Sequence, residues 1–144
     1  MAIVVDASIV VNLLLTQAYS TQAERYLESW KSGGEMLYAP GHWYAEVVSA
    51  LRFAVYRRKL NSEDAQLLID VLPELGVRAL EPTLDLLKSS LRWAERLGQS
   101  KAYDAQYVAL AERLGAELWS ADQRLVHVLK EQGVAWAHWV GEVS

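Results

Sequence analysis

The 144-residue chain has no cysteine. That excludes disulfides, thiolate zinc sites and cysteine nucleophiles, and it fits a cytoplasmic protein. The chain also lacks an excess of positive charge: 14 Lys and Arg against 18 Asp and Glu leave a formal charge of −4. Any nucleic-acid binding must then come from a local basic patch or from a bound cation. No apolar run approaches the roughly 18–20 residues that a bilayer crossing needs. Charged residues, at 22%, are spread along the whole chain, so no membrane association is expected. The opening MAIVVDAS carries no basic leader and its apolar run stops at Asp6, so no signal peptide is expected. No repeat, linker or low-complexity stretch divides the chain. With 52% hydrophobic residues, the expectation is a single domain over residues 1–144 around one substantial core.

What is present is an alternation. Ile3-Val4-Val5 reads as a short buried strand, and EMLYAP (35–40), GVRALEP (76–82), AELWSAD (116–122) and VAWAHWV (134–140) are further strand candidates. Between them lie helical patterns: SIVVNLLLTQ (8–17), STQAERYLESWKSGG (20–34), HWYAEVVSALRFAVYRRKL (42–60), NSEDAQLLIDVL (61–72), PTLDLLKSSLRWAERLG (82–98), AYDAQYVALAERLG (102–115) and DQRLVHVLKEQG (122–133). Thr21 and Glu24 have capping-box spacing, and Ala23, Tyr26, Leu27 and Trp30 share one helical face. Ser62 is expected to cap the helix that carries Glu63 and Asp64 in its first turn. Connections too long for hairpins favour an α/β fold: a mainly parallel sheet with helices on both faces.

Four carboxylates break this pattern. In an open parallel sheet, ligands gather beyond the carboxyl ends of the strands. Asp6 ends the first strand and Asp122 lies just past the fourth, so parallel strands put both on one rim. Glu46 falls on a stripe with Trp43, Val47, Ala50 and Ala54, and Asp104 shares a face with Tyr107, Val108 and Ala111. An unpaired buried carboxylate costs several kcal/mol. Four of them call for a shared partner, and oxygen-only donors favour Mg²⁺ or Mn²⁺. Such a site suits metal-assisted attack of water on a phosphodiester. Ser8 and Ser120 stand where they can orient Asp6 and Asp122.

Each acid also has a structural account. Asp6 is a favoured N-cap, and Asp122 and Asp104 suit the first turn of a helix. Glu46 can pair with Arg52 or a backbone amide. Asn12 reads as an exposed helix residue, or as one that reaches the site. His42, His127 and His138 lack metal-like spacing, and His138 reads as a packed strand residue. The tryptophans read as core or interface rather than as platforms for bases. RFAVYRRK (52–59) reads as a solvated helix end, or as the local positive patch that RNA binding would need.

Taken together, VVDAS, APGHWYAEVVSALR, YDAQYVALAERLG and LWSADQRL, in that order, resemble the PIN-domain family, and most of all the VapC-type toxins of toxin–antitoxin pairs. The resemblance spans about residues 2 to 137. It implies a three-layer α/β/α sandwich with a short, mainly parallel sheet. It implies a Mg²⁺- or Mn²⁺-dependent endoribonuclease with RNA as substrate. The family's four acids fall on Asp6, Glu46, Asp104 and Asp122, as catalytic residues and metal ligands, and its supporting hydroxyls on Ser8 and Ser120. It further implies a homodimer and a small cognate antitoxin that blocks the site. The bulky Trp43-Tyr44 pair and the count of six tryptophans depart from the usual pattern. Two other functions stand beside this one. The first is a catalytically idle PIN-like module that binds RNA or protein. The second is a phosphoacceptor domain using Asp6, against which Ser8 stands where a haloacid dehalogenase needs a second aspartate.

Overall fold

A computed structural model describes residues 1–142. The elements run β1 (Ala2–Val5), α1 (Ala7–Leu14), α2 (Ser20–Ser32), β2 (Met36–Pro40), α3 (Trp43–Tyr56), α4 (Ser62–Ile69), a 3₁₀ turn (Leu72–Leu75), β3 (Val77–Leu80), α5 (Leu84–Arg96), α6 (Tyr103–Leu114), β4 (Glu117–Ser120), α7 (Gln123–Glu131) and β5 (Ala137–Trp139). The five strands form one sheet in the order β3-β2-β1-β4-β5, and every pairing is parallel. The expected α/β class and all five expected strands are present.

Burial explains why the strands read as unbroken apolar runs. Val4 and Val5 are consecutive, so they face opposite sides of the sheet, and both are fully buried. Helices must therefore cover both faces, which gives the α/β/α sandwich. The core continues through Leu118, Ala137, Val108, Val47 and Trp43. Trp30, Trp43 and Trp93 are buried in it, and Trp119, Trp136 and Trp139 pack against its edge.

Chain direction across the sheet reverses beside β1. From β1 the chain moves outward through β2 to β3, then returns to lay β4 on the other side of β1. That reversal opens a crevice at the carboxyl ends of β1 and β4. Val5 is in register with Trp119, and the Asp6 amide donates to the Trp119 carbonyl at 3.0 Å. The ladder thus runs one residue past β1, to Asp6, while Asp122 lies two residues past the end of β4.

Helix ends differ from expectation in two places. The Thr21–Glu24 capping box does not form. α2 starts at Ser20, with Tyr19 at the cap position and no side-chain cap. The Ser20 hydroxyl instead accepts from the Gln17 amide at 2.8 Å and donates to the Leu15 carbonyl at 2.9 Å, which closes the preceding turn and moves the start of the helix. In α4 the cap is Asn61, not Ser62, because the longer amide side chain reaches the Asp64 N–H at 2.7 Å. Asn12 is not exposed. It is buried, donates to the Ser8 carbonyl, and accepts from the Tyr19 amide at 3.2 Å, fastening α1 to the start of α2.

Candidate active site

The β1–α1 and β4–α7 junctions are adjacent across the crevice. At each, an extended aspartate caps the next helix. Asp6 Oδ1 accepts from the Ser8 amide at 3.4 Å, and Asp122 Oδ1 accepts from the Leu125 amide at 3.2 Å. The cap account therefore holds for both residues, and it occupies one oxygen of each carboxylate.

The serines join the two junctions. Ser120, fully buried, donates to Asp6 Oδ2 at 2.6 Å and accepts from the Asp122 amide at 3.0 Å. Its one proton goes to Asp6, so in the 3.3 Å contact between the two hydroxyls Ser8 is the donor. Ser8 in turn accepts from the Ala121 amide at 2.9 Å.

Glu46 enters from α3. It lies at the margin of the buried stripe rather than on it: Trp43, Val47 and Leu51 are buried, whereas Ala50 and Ala54 are only partly so. Its partners are not Arg52 or a backbone amide. Tyr107 donates its hydroxyl proton to Glu46 Oε1 at 2.7 Å, and His42 Nε2 lies 3.2 Å from the same oxygen. Asp104, half-buried at the start of α6, accepts from Gln99 Nε2 at 3.3 Å through Oδ2. Arg52 faces the Tyr56 ring instead.

These carboxylates act on one another. Burial pushes the Asp6 carboxyl up to about 6, the charges of Asp104 and Glu46 push the same way, and the hydrogen bonds from Ser120 and Ser8 oppose them. Asp104 is also raised, first by burial and then by the charges of Asp122 and Glu46. Glu46 lies below its ordinary value: burial raises it, but the hydrogen bonds from His42 and Tyr107 outweigh that. Burial, with Asp6 and Glu46 nearby, holds the Tyr107 phenol far above its usual range, so it is a permanent donor. All four acids thus belong to one electrostatic group on the rim. Among the described residues, no three carboxylates or histidines come together as an immediate metal cluster.

Three contributors escaped the sequence reading: His42, Tyr107 and Gln99. Their only local signal was spacing, His42 four residues before Glu46 and Tyr107 three after Asp104. His138 pairs with Glu117 at 2.6 Å and stacks on Trp119, as a packed strand residue does. Arg57, Arg58 and Lys59 are exposed after the end of α3. No helix of the described residues is long and apolar enough to cross a membrane.

Comparison with known proteins identifies the family and the fold. The PIN domain family model matches residues 3–131. Ribonuclease VapC12 of Mycobacterium tuberculosis is 33% identical over 132 residues, covering 85% of this chain and 88% of that protein. Ribonuclease VapC3 of Pyrobaculum aerophilum is 32% identical over 127 residues, covering 87% and 92%. Among solved structures, VapBC2 of Rickettsia felis bound to a DNA fragment from its promoter superposes with a TM-score of 0.69 at 12% identity, over 96% of this chain and 98% of that one.

Proposed function

The chain belongs to the PIN domain family, and from that premise we propose that it is a metal-dependent endoribonuclease and the toxin of a VapBC-type pair. We assign Asp6, Glu46, Asp104 and Asp122 as its metal-binding and catalytic acids, with Ser8 and Ser120 supporting them. The observation that carries this reading is the buried Asp6 carboxylate, raised to about 6 by burial and by neighbouring acids rather than paired with Lys or Arg. A cation is the partner it lacks.

Mg²⁺ or Mn²⁺ suits the donor set, which is all oxygen. Mg²⁺ usually keeps several of its waters and is held through one or two carboxylates, so a preassembled three-ligand cage is not a requirement. When bound, such an ion supplies charge to the phosphoryl oxygen and a more acidic water. The chain's own residues do the rest. Ser120 holds Asp6 Oδ2, the caps hold Asp6 and Asp122 by their Oδ1 atoms, and His42 and Tyr107 hold Glu46. Arg57, at the carboxyl end of α3, follows Glu46 by eleven residues, about 16 Å along the helix at 1.5 Å per residue, and Arg58 and Lys59 come directly after it. That is a reach suited to a phosphate backbone extending away from the acids.

The named relatives are ribonucleases, and the VapBC2 assembly supports a small cognate antitoxin as partner. A homodimer and a single domain over residues 1–144, the last two of which lie outside the described residues, complete the proposal. Cytoplasmic location fits the absence of cysteine. One observation favours the idle-module reading instead: the acids do not form an immediate cluster. Incubation of metal-free protein with a circular single-stranded RNA separates the two. Linearisation that requires added Mn²⁺ or Mg²⁺ and is lost in Asp104→Asn is the expected result. Tight RNA binding with no cleavage under any divalent ion would support the idle module.

A further inference from the structure

We propose that Tyr107 and His42 form a clamp on one oxygen of Glu46, Tyr107 by a hydrogen bond and His42 by a close Nε2 contact. The inference rests on the acidic-site reading and adds two positioning residues to it.

Tyr107 is fully buried on a face of α6 otherwise filled by alanine, valine and leucine. A buried hydroxyl there is costly unless it is hydrogen-bonded. Its proton goes to Glu46 Oε1 at 2.7 Å. Tyr107 lies one turn after Asp104. This bond therefore links α3, which carries Glu46, to α6, which carries Asp104.

His42 closes the clamp from the other side. Its Nε2 lies 3.2 Å from Glu46 Oε1 and 3.1 Å from the Tyr103 carbonyl. Both neighbours are acceptors, so Nε2 carries the ring proton. That proton has its hydrogen bond with the Tyr103 carbonyl, and Nε2 adds a close contact to the Tyr107-bonded oxygen. Among the described residues, both contacts to this carboxylate fall on Oε1, and Oε2 is left for a ligand. Such outer partners set the orientation of a ligating carboxylate before the ligand arrives.

The test compares Tyr107→Phe, His42→Ala, His42→Gln and Glu46→Gln, prepared metal-free. Each is checked for folding by circular dichroism, titrated with Mn²⁺, and assayed on a labelled RNA. Tyr107→Phe is expected to bind Mn²⁺ about 10- to 100-fold more weakly and to lose kcat on the same scale, with KM for RNA unchanged. Tyr107→Phe combined with Glu46→Gln should be no worse than Glu46→Gln alone. His42→Ala should weaken Mn²⁺ binding, and His42→Gln, which keeps a donor, should restore it. If folded Tyr107→Phe matches the wild type while Glu46→Gln loses metal and activity, the clamp is overturned and the acidic site stands. If Glu46→Gln keeps both, clamp and acidic site fall together. His42 is partly exposed, so its variants decide the matter if Tyr107→Phe does not fold: wild-type Mn²⁺ affinity and kcat in His42→Ala overturn the clamp.

Discussion

The β1–α1 and β4–α7 junctions follow one local plan: strand, aspartate, helix, with a carboxylate oxygen capping the first turn. They differ in depth. Asp6 is 5% exposed and sits between the centre of the sheet and α6, whereas Asp122 faces solvent. The cap is a property of a few consecutive residues, and both junctions have it. The electrostatic cost is a property of the packing, and only Asp6, central in the sheet and facing Asp104 and Glu46, carries it to about 6. A capping aspartate needs no burial, so the burial of Asp6 needs a second reason, which the proposed cation supplies.

The contrast yields graded expectations. The largest effect should fall on cleavage. Asp6→Asn keeps the cap acceptor but removes the charge, and should lower kcat by about 10²–10³-fold, the scale for losing one preorganised charged or polar group at a reacting centre. Asp122→Asn, at the exposed junction, should cost about 10–100-fold, nearer to the effect of an outer supporting group. Equal losses in a single-turnover assay would remove the distinction between the junctions.

Ser120→Ala cuts the link between the two junctions. It removes the donor to Asp6 Oδ2 and the acceptor of the Asp122 amide. Leaving buried groups unpaired should destabilise the fold by about 1–3 kcal/mol in urea unfolding.

Stability should also move in opposite directions at the two aspartates. A carboxyl raised from 3.8 to about 6 costs up to about 3 kcal/mol at neutral pH, so metal-free Asp6→Asn should be more stable than the wild type by about 1–3 kcal/mol. Asp122→Ala loses a cap and should be less stable by about 0.5–2 kcal/mol. The pH dependence has the same origin. Between pH 4 and 6 the folded state holds a proton on Asp6 that the unfolded chain has released, so wild-type stability should fall as pH rises through that window. Asp104, shifted in the same direction, adds to the slope. In Asp6→Asn the slope should flatten, which thermal melts across the window would detect.

How much of this was legible in the sequence follows the same division between local and packed features. Strands buried on both faces announce themselves as apolar runs, so all five were readable. Asp6 and Asp122 were readable because each interrupts such a run at its end. Glu46 and Asp104 stood out against helical period, although Glu46 proves to lie at the edge of its stripe. Cap positions failed where two hydroxyl or amide residues compete: Ser20 closes the turn before α2, and Asn61 outreaches Ser62. The bond from Tyr107 to Glu46 spans 61 positions, and no periodicity within one helix encodes it. Asn12 looked exposed because its partner, the Tyr19 amide, becomes a neighbour only once α1 turns into α2.

The central claim is that Asp6 is buried in order to hold a cation. Calorimetric titration of Mn²⁺ into metal-free wild type and Asp6→Asn at pH 7, both shown to be folded, tests it directly. The account requires saturable binding by the wild type and its loss in the variant. Equal binding by the two proteins, or none by either at millimolar Mn²⁺, would contradict it.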